Sequence, residues 1–192
     1  RKSLIVNDLI KWIPSIGLLW LFCACNNPRL EIGQDISCSA EFMSKSKRRF
    51  VDDQEKKYSF GGSEHRIKGG FESEHSILLN APDKYGFATT LRVVEDEYYE
   101  ITVWRKSSNG NGVIVAASET PGLFYDKSTP HILEERNGWQ KIELDVLTPP
   151  HLLLPELKIY VWNPTDDSVY FDDLKIVRRS MRVYPEYDEP HL

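Results

Sequence analysis

Residues 98–106 read Tyr-Tyr-Glu-Ile-Thr-Val-Trp-Arg-Lys and alternate along their length. Tyr99, Ile101 and Val103 fall on one side of an extended chain, and Glu100, Thr102 and Trp104 on the other, which is the period of a half-buried strand. The pattern recurs in residues 87–94, in residues 139–146 with Ile142, Leu144 and Val146 on one face, and in residues 157–162. Turn formers separate these runs: Pro82-Asp83 with Gly86, Asn109-Gly110-Asn111-Gly112, Pro149-Pro150 and Asn163-Pro164. Short strands with turn signals every roughly 8–12 residues, and no amphipathic helix, predict an all-β fold, an antiparallel β-sandwich of jelly-roll type. Residues 119–137 form a long irregular connection, and no internal repeat interrupts the order.

The chain has 192 residues, 41% of them hydrophobic, enough for one ordinary core. Its formal net charge is -5, with Lys and Arg spread among Asp and Glu. Nucleic acid is therefore not expected as a partner, since no basic footprint exists for it.

Residues 1–25 read as a targeting segment. Arg1, Lys2 and Lys11 precede an apolar run containing Leu18, Leu19, Trp20, Leu21 and Phe22. The run is shorter than the ~20 residues of a membrane span and suits a signal peptide. Its end, Phe22-Cys23-Ala24-Cys25-Asn26-Asn27, resembles the lipobox of bacterial lipoproteins, with Cys25 as the residue to be lipidated. Acylation there implies a membrane partner through a lipid anchor. Residues 26–35 read as a polar tether, residues 36–179 as the sandwich, and residues 180–192 as a Pro- and acid-rich linker. Cys38 would be the one thiol of the mature domain, expected as a small buried hydrophobe.

Residues 169–176, Val-Tyr-Phe-Asp-Asp-Leu-Lys-Ile, look like the last strand and carry two carboxylates. Strict alternation puts Asp172 in one row with Leu174 and Ile176, facing the core, and puts Asp173 outward with Phe171 and Lys175. A buried carboxylate needs a cation or a set of hydrogen-bond donors.

The order of Gly138-Trp139-Gln140-Lys141-Ile142, residues 157–163 and residues 169–176 resembles that of galactose-binding-like jelly rolls. These include many carbohydrate-binding modules and sandwich domains on lipoproteins of Bacteroidetes-type bacteria. The resemblance covers about residues 36–178. It implies a structural Ca²⁺ linking the first strand, a loop and the last-strand aspartate, with Asp172, Glu41 and Ser73 as ligands. It also implies a glycan partner and a location at the bacterial outer membrane or cell surface. The linker-like tail suggests a further domain after it, and the module is expected to serve a downstream catalytic domain.

Aromatic rings on a sheet face stack on the apolar side of a pyranose while polar neighbours bond its hydroxyls. By alternation Trp104 lies on a solvent-side face, as do Tyr160 and Trp162. Were both strands in one sheet, the three rings would form a platform rimmed by Arg105, Lys158 and Asn163. Phe124 and Tyr125, in the long connection, form a rival loop-tip site. Equally, such aromatics cover the second face of many small sandwiches, and Trp139 is expected to be structural.

No catalytic residue is expected. Asp172 and Asp173 are strand neighbours pointing to opposite faces, unsuited to flank one glycosidic bond. The five histidines have no metal spacing, and no phosphate loop or nucleophile motif occurs. The expected function is a noncatalytic carbohydrate-binding-like module, the alternative a structural or protein-interaction sandwich without sugar affinity.

Overall fold

The structure is a computed structural model that describes residues 27, 29–54, 56–120, 122–149 and 156–180. The expected signal segment with Cys25, and the tail after residue 180, lie outside the described residues. Among the described residues the strands run β1 (Asp35–Cys38), β2 (Phe50–Val51), β3 (Ser59–Phe60), β4 (Arg66–Lys68), β5 (His75–Leu79), β6 (Tyr85–Arg92), β7 (Tyr98–Lys106), β8 (Val113–Ser118), β9 (Tyr125–Lys127), β10 (Glu134–Arg136), β11 (Trp139–Leu147), β12 (Glu156–Trp162) and β13 (Val169–Arg179). The helical content there is one 3₁₀ turn, Ser63–His65.

Two antiparallel sheets face each other. The larger runs β10-β11-β7-β13-β5-β4, with β1 also on β13; the smaller runs β6-β12-β8-β9; β2 and β3 form a separate hairpin. The long strand β13 is shared: its first residues pair with β5 and its later ones with β1, while β7 takes the other edge. The fold is thus an antiparallel β-sandwich. Its core is built by the alternation described above, with Ile101, Val103, Ile142 and Leu144 from the large sheet meeting Ile114, Leu157, Ile159 and Val161 from the small one. Cys38 is fully buried within it, and burial pushes its thiol well up.

Two features depart from the pattern read in the sequence. First, β13 does not alternate strictly. Asp172 pairs with Trp104 and Lys175 with Thr102, so Asp173 and Leu174 together oppose Val103. Asp173 takes the left-handed region at φ 49°, the extra residue of a β-bulge. The bulge reverses the parity: Val169, Phe171, Leu174 and Ile176 enter the core. Asp172 therefore lies in the outward row with Trp104, not in the core row with Leu174. Second, the folded unit begins before residue 36. Leu30 is 0% exposed and belongs to the core, while Ile32, the other large apolar residue of this mostly polar stretch, is 64% exposed.

Candidate functional site

The outer face of the small sheet carries an aromatic cluster beside a groove. Outward positions follow the register: Tyr85 pairs with Trp162, Thr90 with Lys158, Lys158 with Ala117, and Ala117 with Tyr125. The Tyr85 and Trp162 rings lie 6.4 Å apart and near parallel, and Tyr85 meets Tyr160 edge-on at 5.8 Å. Tyr85 is 58% exposed and Tyr125 56%. Burial, followed by the neighbouring Tyr125 and Tyr85 hydroxyls, pushes the Tyr160 hydroxyl above its ordinary value.

Small outward residues, Ala88, Thr90 and Ala117, leave a depression next to these rings. Its volume is about 830 Å³, within the ~300–1,000 Å³ usual for ligand sites. One wall comes from the β2–β3 region with Arg49, Lys57 and Tyr58. That region is fastened to β6 by Gly61 N–H donating to the Ala88 carbonyl at 2.7 Å and Thr89 Oγ1 donating to the Ser59 carbonyl at 3.2 Å. Asn27, Glu119 and Glu156 complete the rim, with Asn27 Nδ2 donating to Glu156 Oε1 at 2.9 Å.

The expected three-ring platform does not form. Tyr160 and Trp162 stand together on β12, but Trp104 is on β7, in the other sheet. Trp104 points outward as its alternation requires, yet is only 7% exposed. Phe71 stacks on it at 3.8 Å, Trp139 packs on Phe71 at 6.1 Å, and the Arg136 guanidinium lies 6.0 Å above the Trp104 ring. A loop has closed over that face, and the cluster, Trp139 included, is structural. Arg105 is no rim residue: it is 2% exposed, Nη1 donating to the Gly112 carbonyl at 2.6 Å and Nη2 to Gln140 Oε1 at 3.3 Å. Its side follows Val103, opposite Phe171 and Gln140, and points inward. Asn163 is also buried, Nδ2 donating to the Leu79 and Asp167 carbonyls. Phe124 packs against the core, whereas Tyr125 lies open on the sheet.

The ligand set expected for Ca²⁺ divides around His75. Asp172, fully buried under the Phe71 loop, accepts from Phe71 N–H at 2.7 Å, Ser73 Oγ at 2.8 Å and Asp173 N–H at 2.8 Å. Ser73 Oγ also lies 3.0 Å from the His75 carbonyl oxygen. Its single proton can serve one of those two acceptors. A Cβ on Gly70 would collide with Ser73 Oγ, the His75 carbonyl and Asp172 Oδ2, so glycine keeps an oxygen-lined cradle open. Burial, then the Asp173 charge, raises the Asp172 carboxyl to about 7 against its hydrogen bonds. Burial, then Asp53, Glu72 and Glu41, raises Asp173 to about 6. Among the described residues no Lys, Arg or His side chain pairs with Asp172. Asp172, the Ser73 hydroxyl and the His75 carbonyl bring together three oxygens of the kind a hard divalent cation takes, while the Phe71 and Asp173 N–H groups also bond the carboxylate.

Glu41 does not join Asp172. It accepts from His75 N–H at 2.7 Å, shares a contact with His75 Nδ1 at 2.8 Å, and faces Arg66 at 3.7 Å. Ligand atoms of Glu41, Glu74 and His75 lie within 4.8 Å of one another. Burial pushes Glu41 up, but the His75 contacts and Arg66 more than offset it, leaving its carboxyl below the ordinary value.

No protein-family model matches this chain, and no curated protein sequence matches it. Solved structures with a similar backbone include the CBM22-1 xylan-binding domain of Xyn10C from Paenibacillus barcinonensis, at 11% identity, covering 79% of this chain and 99% of that one, with a TM-score of 0.48. The CBM22-1–GH10 modules of Clostridium thermocellum xylanase Xyn10B, complexed with xylohexaose, match at 10% identity over 82% and 29%, TM-score 0.43. A cyclase from Fischerella sp. TAU matches at 13% identity over 77% and 86%, TM-score 0.43.

Proposed function

We propose that this domain is a noncatalytic carbohydrate-binding module whose glycan lies across the outer face of the β6-β12-β8-β9 sheet. The observation that carries the reading is the open cluster of Tyr85, Tyr160 and Trp162 beside a groove floored by small residues. Rings held by a sheet present a fixed stacking surface, and Thr90 and Lys158 offer polar groups to the hydroxyls of a stacked sugar. A glycan array probed with residues 27–180 tests it. The expected result is binding that falls about tenfold or more in Tyr160→Ala, since truncating an aromatic hot spot costs roughly 2 kcal/mol. No binding across bacterial, plant and host glycans would leave a structural or protein-interaction sandwich instead.

The same proposal assigns a structural Ca²⁺ to Asp172, Ser73 and the His75 carbonyl. Bound there, the ion would tie the last strand to the loop that covers Trp104. Lipid attachment at Cys25, a bacterial envelope location and service to a neighbouring catalytic domain are supported by the sequence pattern alone. Loss of fatty-acid labelling in Cys25→Ala cells is the expected result for the anchor; labelling that persists would exclude that cysteine.

A further inference from the structure

Resting on the glycan reading above, the charges of the groove narrow the class of sugar. The chain is acidic overall, with 29 Asp and Glu against 24 Lys and Arg. Many of its cations are held by carboxylates, as in Arg29–Glu97, Lys84–Asp166, Lys175–Asp35 and Arg179–Glu100. Other cations, Lys68, Lys106 and Lys127 among them, have no carboxylate partner among the described residues, and Arg49, Lys57 and Lys158 stand out because they are grouped around one depression. All three line the groove, and among the described residues no carboxylate pairs with any of them. Two carboxylates also line it, Glu119 and Glu156, the second accepting a hydrogen bond from the neutral Asn27 amide, so three cations stand against two anions around the groove.

The placement of the ammonium groups matters more than their number. Lys158 sits mid-floor between Thr90 and Ala117, its Nζ 5.7 Å from the Tyr160 ring centroid. Lys57 Nζ lies 5.3 Å from the Tyr58 ring on the opposite wall. A pyranose stacked beside Tyr160 would take water away from the Lys158 ammonium. A neutral sugar returns only neutral hydrogen bonds for that loss, whereas a sugar carboxylate returns a charge-assisted one. The site therefore selects against neutral glycans as well as for charged ones.

We infer that the groove binds an acidic glycan, one whose uronate carboxylates meet Lys158 and the Arg49–Lys57 wall while a ring stacks on Tyr160. A solvent-facing ion pair contributes about two- to fivefold in affinity, so two or three together give roughly tenfold or more. The test is calorimetric titration of residues 27–180 with polygalacturonate and alginate, and with the same polymers after carboxyl reduction. The acidic forms are expected to bind about tenfold or more tightly, and to weaken as NaCl rises from about 0.05 to 0.5 M. Lys158→Ala should remove most of the preference and Lys158→Arg should restore part of it. Equal binding of native and reduced polymers, or indifference to Lys158→Ala, overturns the acidic assignment and leaves the glycan reading standing. Equal binding of polyglutamate, unchanged in Tyr160→Ala, overturns it in favour of general polyanion attraction. Absence of binding to every polymer, native or reduced, removes the glycan reading and this inference with it.

Discussion

Asp172 and Glu97 are both buried carboxylates, and their surroundings drive them in opposite directions. Burial pushes Glu97 up, but the Val94 N–H, Arg29, the Tyr99 hydroxyl and Arg178 together hold it below its ordinary value. A carboxyl depressed in the folded state adds stability that is complete above its unfolded value, 4.5, and is lost as pH falls through the folded one. Glu97→Gln should therefore cost roughly 3 kcal/mol in urea unfolding at pH 7, and the gap to the wild type should narrow as pH falls below 4.5. A gap that does not change with pH would mean the charge is not what matters. Asp172 has hydrogen-bond donors but no cationic side chain, and Ca²⁺ bound to it would act as a ligand of the folded state alone. EDTA is expected to lower Tm, and Asp172→Asn to abolish both that effect and its reversal by Ca²⁺; an unchanged Tm with EDTA would remove the ion. The need of Asp172 for partners was legible from the apolar run around it. Its side of the sheet was not, because the bulge rests on Asp173, an ordinary strand neighbour in sequence whose short polar side chain tolerates the left-handed region.

At the scale of elements, the outward parity of Trp104, Tyr160 and Trp162 was readable from alternation, and all three do leave the core. What alternation does not carry is which strands share a sheet, nor what covers a face. The β7 and β12 strands lie in opposite sheets, so the three rings divide between two surfaces. One is closed by Phe71 and the other is open. Phe71 precedes no periodic run that would announce it as a cover, and Tyr85 escaped notice because the Pro82–Gly86 turn signal overlaps the start of β6. The division has a measurable consequence. Trp104→Ala removes a ring stacked on Phe71 at 3.8 Å and should destabilise the domain by about 3–5 kcal/mol, with glycan affinity in the folded fraction unchanged. Trp162→Ala, on the open face, should do the reverse and cost under ~1 kcal/mol of stability while weakening binding severalfold. Denaturant unfolding and affinity electrophoresis on the same two variants separate the cases; a loss of affinity confined to Trp104→Ala would move the site to the other sheet.

For the whole molecule, the sandwich closes through its two ends. Residues 29–34 run beside the C-terminal half of β13: Gly33 N–H donates to the Arg178 carbonyl at 2.7 Å, Arg178 N–H to the Gln34 carbonyl at 3.1 Å, and Arg178 Nη1 to the Leu30 carbonyl at 2.8 Å. Arg29 and Arg178 both reach Glu97 at 2.8 Å. A stretch that composition marks as a tether is thus the first element of the fold, joined to the last by backbone bonds, a shared carboxylate and one core side chain. Starting the chain at residue 36 would empty the Leu30 site, and loss of a buried leucine costs about 2–5 kcal/mol. It would also remove one of the two cations on Glu97, leaving a buried carboxylate less well matched. Residues 36–180 should therefore unfold at a clearly lower urea midpoint than residues 27–180, and Leu30→Ala in the longer chain should account for most of the difference. Because the loss is of burial, the difference should persist at high salt, where a purely electrostatic contribution from Arg29 would be screened. Equal midpoints for the two chains would mean that the core closes without Leu30 and that the sandwich begins at β1.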